Sequence, residues 1–185
     1  MRKITVCNGK GGSGKTTATI LLGLALVEAG HKAKVLDIDP QNTASRWITD
    51  GGLPLGSEDG SATVLIDTPP RLDSPDLREC IRESDIIIVV SSPSPADLFT
   101  SQDTARLIGE LDATDRARLL FNQVQEGTIL SRGLEDTAKR IGLQPLNSVL
   151  TRRQCYQHAV LLGWNALPPK AKEEVFKMAL EVASL

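Results

Sequence analysis

Residues 9–17, with the sequence G-K-G-G-S-G-K-T-T, constrain the fold of this chain more than any other stretch. Residues 3–7 before them are typical of a strand, and residues 15–29 have the apolar spacing of a helix that ends at Gly30. Glycines in such a turn let the backbone approach phosphate oxygens and point successive N–H groups at them. The helix adds the positive end of its dipole. The pattern therefore predicts a phosphate-binding loop, called the phosphate loop below.

Each side chain of the phosphate loop has an expected partner. We expect Lys15 to neutralise β- and γ-phosphate charge, the Thr16 hydroxyl to ligate Mg²⁺, and Thr17 to reach the α-phosphate. The predicted nucleotide-binding residues of the loop are Gly11, Gly12, Ser13, Gly14, Lys15, Thr16 and Thr17. A glycine-rich turn can also open a helix for geometric reasons alone, but here a complete loop leads into G-K-T-T.

Strand-like and helix-like stretches alternate along the whole chain, and aromatic residues make up only 3% of it. A core built from Val, Ile, Leu and Ala suits parallel strands covered by helices. The sequence therefore predicts one α/β domain over residues 1–185, a doubly wound and mostly parallel sheet flanked by helices. The predicted strands are residues 3–7, 34–39, 62–67, 85–91, 118–122 and 145–150. The predicted helices are residues 15–29, 43–49, 75–83, 96–111, 129–141, 153–162 and 169–183, with a loop at 51–60.

Carboxylates end two of the predicted strands. Asp37 and Asp39 are one residue apart at the end of the second strand, so we expect both to project from the same side. Asp67 ends the third predicted strand, which is an apolar run. An Asp in this place is typical of a carboxylate that holds Mg²⁺ through water. A turn at the end of a strand also favours Asp, although the phosphate loop makes the metal interpretation the stronger one. Residues 68–72 would then sense the γ-phosphate.

The second lysine, Lys10, gives the loop the form K-G-G-S-G-K-T-T, which resembles the deviant Walker A motif of the ParA/MinD superfamily of P-loop ATPases. The resemblance implies an ATP- and Mg²⁺-dependent ATPase in which Lys10 reaches the partner's nucleotide across a homodimer. The alternative is that Lys10 is a surface lysine with no role at the nucleotide. The D-x-D-P-Q element at residues 37–41 is similar to one in that family, where the acid at Asp39 positions the attacking water and the acid at Asp37 lies near the metal. By this resemblance, Lys10, Lys15 and Asp39 are catalytic and Thr16, Asp37 and Asp67 bind the metal.

Two further stretches resemble the small ParA proteins, among them ParF of plasmid partition. They are S-P-S-P-A-D-L at residues 92–98 and T-R-R-Q-C-Y at residues 151–156. The resemblance makes Arg152 and Arg153 candidate DNA-binding residues, and a solvated face is the alternative. Asn122 occupies a position where related ATPases read adenine. The longer ParA proteins carry an N-terminal helix-turn-helix domain, and we expect none here.

The main hypothesis is therefore a ParA-type ATPase for partition of plasmid or chromosomal DNA. Its ATP-bound dimer would bind DNA without sequence preference, and a centromere-binding, ParB- or ParG-like partner would stimulate hydrolysis. Residues 116–158 hold seven basic and three acidic side chains in a chain of net charge −2. The alternative is a MinD-like positioning ATPase whose cargo is a membrane or a protein cluster. A synthetase or metal-centre maturation ATPase is a third possibility, but the paired cysteines usual in maturation proteins are missing.

The sequence predicts a cytoplasmic protein, associated with the nucleoid when ATP is bound. The three cysteines have no metal-ligand spacing, and the longest apolar run is too short to span a bilayer. An amphipathic membrane anchor at residues 170–185 is the less favoured interpretation, because the polar face mixes charges of both signs. We expect Val175, Met178, Ala179 and Val182 on the other face to pack in the core and no stable membrane association.

Overall fold

The computed structural model of the protein describes residues 1–56, 60 and 63–185. The six strands are β1 (Arg2–Cys7), β2 (Ala33–Asp37), β3 (Thr63–Asp67), β4 (Ile86–Ser91), β5 (Ala117–Val124) and β6 (Pro145–Thr151). The α-helices of the described residues are α1 (Lys15–Glu28), α2 (Thr43–Asp50), α3 (Pro75–Glu83), α4 (Pro95–Glu110), α5 (Ile129–Arg132), α6 (Leu134–Ile141), α7 (Gln154–Leu162) and α8 (Pro169–Ser184). The predicted start of the third strand at Ala62 and part of the predicted loop at 51–60 lie outside the described residues.

The strands form one sheet in the order β2-β3-β1-β4-β5-β6, and each described pair of neighbours is parallel. The predicted α/β fold is therefore confirmed. Because the strands are parallel, their carboxyl ends meet along one edge of the sheet, called the carboxyl edge below. The phosphate loop leaves this edge after Cys7, next to Asp67, which pairs in register with Asp37.

Two apolar cores cover the two faces of the sheet. Ile4, Ile88 and other residues of the central strands pack with α1, α7 and α8 on one face, while Ile87 and Val89 pack with α3, α4 and α6 on the other. All six residues of β4 are buried, as expected of a continuous apolar strand between two helical layers. Each buried aliphatic side chain contributes about 1.5–3 kcal/mol, so these cores hold the carboxyl edge in place.

Helix α8 uses its apolar face in the core. Val175, Met178, Ala179 and Val182 are all buried there, which confirms the prediction of core packing for this segment. Within the part of the chain that the structure describes, no helix has the length and apolar character needed to cross a membrane.

Strand β2 is shorter than predicted, which removes the expected geometry of two carboxylates on one strand. It ends at Asp37, and Asp39 lies in the following loop. The Asp37 carboxylate accepts hydrogen bonds from the N–H groups of Asp39 at 3.0 Å and Ser45 at 2.9 Å. Such local bonds from an Asp side chain compete with the ladder of the sheet, so the strand stops here and α2 begins.

The predicted helix at 129–141 is also wrong in one respect, because it is two helices. Gly133 separates α5 from α6, ending the first and preceding the second. Thr128 begins α5 by accepting a hydrogen bond from the N–H of Ser131 at 3.2 Å. Glycine is a weak helix former, so the chain bends at Gly133 with little loss of intrinsic helix stability.

Candidate nucleotide-binding site

The backbone of the phosphate loop has the conformation that its glycines predict. Gly12 and Gly14 have positive φ angles of 78° and 92°. A Cβ at Gly14 would lie only 2.1 Å from Nδ2 of Asn122. That amide donates to the carbonyl of Ser13 at 2.9 Å, and the Gln123 amide donates to the carbonyl of Gly12 at 3.2 Å. The end of β5 therefore fixes the shape of the loop.

The two lysines of the loop lie in different surroundings. Lys15 is buried, and its Nζ donates to the carbonyl of Lys10 at 3.0 Å. Burial lowers the pKa of Lys15, and the charge of Asp67 partly opposes this effect. Lys10 instead forms an ion pair with Asp97 of α4. The single chain thus keeps Lys15 inside the loop and holds Lys10 against α4.

Asp67 and Thr16 lie together, as predicted for a metal site. The buried carboxylate of Asp67 accepts hydrogen bonds from the hydroxyl groups of Thr16 at 2.8 Å and Thr19 at 3.2 Å. Burial raises the pKa of Asp67 to about 6, although these hydrogen bonds lower it. Thr19 was not predicted, although its position one helical turn after Thr16 could have revealed it.

These residues fit a magnesium–nucleotide group. A hydroxyl and a carboxylate oxygen, the ligand types that Mg²⁺ prefers, already lie within 2.8 Å of each other. The hydroxyl of Ser13 in the same loop is buried, and it has no hydrogen-bond partner among residues 1–56, 60 and 63–185. An unpaired buried hydroxyl is unfavourable, and an incoming phosphate oxygen would satisfy it. Thr16 and Asp67 would hold the metal.

The other two predicted acidic residues, Asp37 and Asp39, lie at the border of this site. The carboxylate of Asp37 is occupied by the N–H groups of Asp39 and Ser45, and its charge raises the pKa of Asp67. Asp39 accepts from the N–H of Gln41 at 2.9 Å, and its charge raises the pKa of Lys15. The charge of Asp37 therefore acts on the Asp67 carboxylate, and the charge of Asp39 acts on Lys15 of the phosphate loop.

The predicted sensor segment, residues 68–72, lies directly against the phosphate loop. The Thr68 hydroxyl is buried and donates to the carbonyl of Val6 at 2.9 Å. Leu72 packs so closely over Gly9 that a Cβ on this glycine would lie 2.8 Å from its Cγ. A change in the conformation of the phosphate loop would therefore displace Leu72 and with it this segment.

Two cavities lie beside the phosphate loop. One of about 370 Å³ is lined by Lys10, Gly12, Ser92, Pro93, Ser94, Asp97, Gln123, Gln125, Thr128, Leu130 and Arg152. The other, of about 160 Å³, is lined by Gly14, Thr17, Asn122, Gln123, Thr151, Arg152, Arg153, Tyr156 and Gln157. Arg152 is exposed, whereas Arg153 forms an ion pair with Glu174 of α8 at 2.5 Å. The two predicted DNA-binding arginines therefore have different surroundings.

A protein-family model described as the CobQ/CobB/MinD/ParA nucleotide binding domain matches residues 4–163. The chain belongs to this family. The match includes the phosphate loop and the carboxylates of the site, and it confirms the superfamily that the K-G-G-S-G-K-T-T pattern suggested.

Named relatives of this chain fall into two groups. The chain is 29% identical to the maintenance of carboxysome distribution protein A of Halothiobacillus neapolitanus, over 86% of this chain and 84% of the relative. It is also 29% identical to the protein of that name from Gloeobacter kilaueensis, over 92% and 86%. Identity with protein ParA of Rhizobium radiobacter is 23%, over 99% and 93%.

Solved structures of similar fold bind nucleotides. The ATP complex of a McdA variant from Cyanothece has a TM-score of 0.79 at 12% identity, with 100% of this chain and 97% of that chain covered. A proposed plasmid partition protein of Borrelia burgdorferi, bound to AMPPNP, has a TM-score of 0.78 at 15% identity, with 99% of this chain and 98% of that chain covered. At this identity the likeness establishes the fold alone.

Proposed function

We propose that this chain is a ParA-type positioning ATPase, which binds ATP with Mg²⁺, dimerises in the ATP-bound state and hydrolyses ATP slowly. One observation supports this proposal above others. The phosphate loop, the Thr16–Asp67 pair and a second lysine, Lys10, lie together at the carboxyl edge of the sheet. Family membership supports the nucleotide-binding part, and the additional lysine supports the dimer.

The chain's own residues would act mainly by position and charge. Backbone N–H groups of the loop bind the phosphate oxygens, and Lys15 offsets their negative charge from inside the loop. Bound Mg²⁺ supplies charge neutralisation at the phosphates. Asp39 would orient the attacking water. Because one chain supplies only these phosphate contacts, their charge neutralisation and an oriented water, we expect slow ATP hydrolysis until a partner protein binds.

For the cargo, we propose a protein assembly rather than a plasmid. The two relatives at 29% identity are both named for the distribution of carboxysomes, and they favour the protein-cluster alternative over the DNA-partition hypothesis. Partition of DNA remains the second candidate, since a protein named ParA matches 99% of the chain. In either case the ATP-bound dimer would bind nucleoid DNA without sequence preference, and Arg152 is an exposed cation for such binding.

The dimer is tested with the Lys10→Ala variant. We expect it to bind ATP as the unaltered chain does, because Lys15 and the loop are intact, but to lose ATP-induced dimers. Light scattering with ATP and with ADP measures this, and Lys177→Ala, which removes an exposed lysine of α8, is the control. Dimers of Lys10→Ala in ATP would contradict the trans role.

The cargo is tested by capture from the native cell. The Asp39→Ala variant, expected to bind ATP without hydrolysis, serves as bait, and Lys15→Ala serves as the control that cannot hold ATP. We expect shell or scaffold proteins of a large assembly to be enriched on the first bait alone. Enrichment of a centromere-binding protein with its DNA site would instead establish the partition function.

A further inference from the structure

The two parts of the phosphate loop are held by different elements. Residues 12–14 are held by the side-chain amides at the end of β5. Gly9 and Lys10, which come before them, are instead tied to α4 and to the end of β1. The N–H of Gly9 donates to the hydroxyl of Thr104 at 3.2 Å, and the N–H of Lys10 donates to Oδ1 of Asn8 at 3.1 Å. The lysine therefore has a support of its own.

Asn8 is the centre of a buried network of hydrogen bonds, and only 1% of its surface is exposed. Its amide group donates to the carbonyl of Val90 at 2.8 Å and to the hydroxyl of Ser101 at 3.1 Å. The Ser101 hydroxyl in turn donates to that of Ser91 at 2.8 Å, and both serines are fully buried. Rotation of the amide would leave buried polar groups unpaired, which is unfavourable. The Asn8 oxygen is therefore kept in place for the N–H of Lys10.

Helix α4 presents a polar face to the phosphate loop. Asp97, Ser101 and Thr104 follow one another at intervals of four and three residues, which places them on one side of the helix. All three are buried, so they require polar partners inside the protein. Asp97 pairs with the side chain of Lys10, while Ser101 and Thr104 contact Asn8 and Gly9. The helix thus holds Lys10 through both its side chain and the backbone around it.

We propose that Asn8 and Thr104 are positioning residues for Lys10. They hold the backbone of Gly9 and Lys10 against α4, so that the lysine side chain starts from a fixed place when it leaves Asp97 for the nucleotide of a second copy. The inference rests on the proposed function, because it assumes an ATP-bound dimer in which Lys10 acts across the interface. It assigns the buried polar face of α4 to dimerisation.

This arrangement separates dimerisation from nucleotide binding by one chain. A lysine side chain is flexible, so additional freedom of its backbone would increase the entropy that is lost when it binds a partner. The chain's own nucleotide would be bound by residues 11–17, most of which belong to the part of the loop that β5 and α1 hold. Nζ of Lys15 donates to the carbonyl of Lys10 at 3.0 Å, and phosphate oxygens would replace this carbonyl when nucleotide binds. Loosening Gly9 and Lys10 should therefore weaken the dimer more than the affinity for nucleotide.

The experiment removes the hydroxyl that binds the N–H of Gly9. Thr104→Val removes it with little change of shape, and Thr104→Ser keeps it. Thr137→Val in α6 is the matched control, because each threonine hydroxyl donates to the carbonyl four residues earlier, at 2.8 Å for Thr104 and 2.9 Å for Thr137. Thr137 has no hydrogen bond to the phosphate loop among the described residues. Sedimentation with Mg-AMPPNP measures the dimer Kd, calorimetry measures the affinity for Mg-ADP, and urea unfolding measures stability.

We expect Thr104→Val to raise the dimer Kd about 5- to 10-fold, which corresponds to the loss of one hydrogen bond. Its affinity for Mg-ADP should change by less than about twofold, within the error of an unaffected site. Thr104→Ser should restore the dimer Kd, and Thr137→Val should leave it unchanged. Asn8→Ala should weaken the dimer further, because it removes the bonds to both β4 and α4. If that variant does not fold, Thr104→Val and Thr104→Ser decide the question.

The outcomes separate this inference from the proposed function. An unchanged dimer Kd in Thr104→Val would overturn the inference even if the variant were less stable, and so would a Thr104→Ser variant as weak as Thr104→Val. Equal losses of dimerisation and of Mg-ADP affinity would also overturn it, since the contact would then shape the whole loop. An unaltered chain that bound Mg-ADP but stayed monomeric with Mg-AMPPNP would refute the proposed dimer itself, and the inference with it.

Discussion

At the scale of single residues, the phosphate loop shows why particular positions admit only glycine. Gly14 combines a positive φ of 92° with the close approach of Asn122, whereas Gly11 has open space around the place of a Cβ, with Pro70 at 4.0 Å as the nearest atom. The first glycine is therefore required by the fold of the loop itself. Gly11 is required only if a phosphate group approaches it. Substitutions at Gly14 and Gly11 therefore separate the stability of the loop from its binding of phosphate.

We predict that Gly14→Ala destabilises the protein by about 1–3 kcal/mol, because a Cβ is strained at positive φ and collides with the Asn122 amide. Gly11→Ala should change stability by less than about 0.5 kcal/mol and still weaken ATP binding. Urea unfolding and calorimetry measure the two effects. A Gly14→Ala protein as stable as the unaltered chain would mean that the loop relaxes more easily than its hydrogen bonds indicate.

The candidate site residues that the sequence predicted are those whose placement depends on residues near them in the chain. Lys15 and Thr16 follow from the local pattern of glycines between a strand and a helix, and Asp67 follows from its place at the end of an apolar strand. The partners Asp97 and Glu174 could not be predicted in this way. Each depends on how a helix packs on the sheet, which places residues far apart in sequence in contact.

At the scale of elements, apolar β-branched runs predicted the strands because both faces of the sheet are covered. The errors arose where polar side chains or glycine act on the backbone. Asp37 ends β2, where its side chain binds the N–H of Asp39, and Gly133 divides a helix. Glu181 of α8 also binds the backbone of β6, since it accepts from the N–H groups of Asn147 at 2.7 Å and Ser148 at 2.8 Å, where the pairing of β6 with β5 shifts in register.

The contact of Glu174 in α8 with the end of β6 should make the free energy of unfolding depend on pH. The pKa of Glu174 falls from 4.5 to about 2 on folding, so its stabilising contribution is complete above pH 4.5 and is lost as the pH falls toward 2. We predict that Glu174→Gln is less stable than the unaltered chain at pH 7 and that this difference shrinks below pH 4.5. Urea unfolding across this range measures it, with Glu79→Gln, an exposed carboxylate of α3, as the control. A difference that stayed constant with pH would contradict the assignment.

At the scale of the whole molecule, the carboxyl edge presents a polar cavity that one chain leaves open to solvent. Lys10 and Asp97 lie on its border, and Leu130 of α5 exposes 44% of its surface there. If a second copy closes over this edge, as we propose for the ATP-bound state, Lys10 must leave Asp97 to reach the partner's nucleotide. The ion pair within one chain therefore opposes the contact between two chains.

This competition predicts that Asp97→Asn favours dimers. The amide oxygen of Asn keeps an acceptor for the N–H of Ser92, which now donates to Asp97 at 3.2 Å, but the charge that holds Lys10 is gone. Since a partly exposed ion pair contributes about 1 kcal/mol or less, we expect half-maximal dimerisation at an ATP concentration up to about fivefold lower. Analytical ultracentrifugation across an ATP titration measures the shift, and the double variant with Lys10→Ala should abolish it. A requirement for more ATP in Asp97→Asn would show that Asp97 instead helps to present Lys10 to the partner.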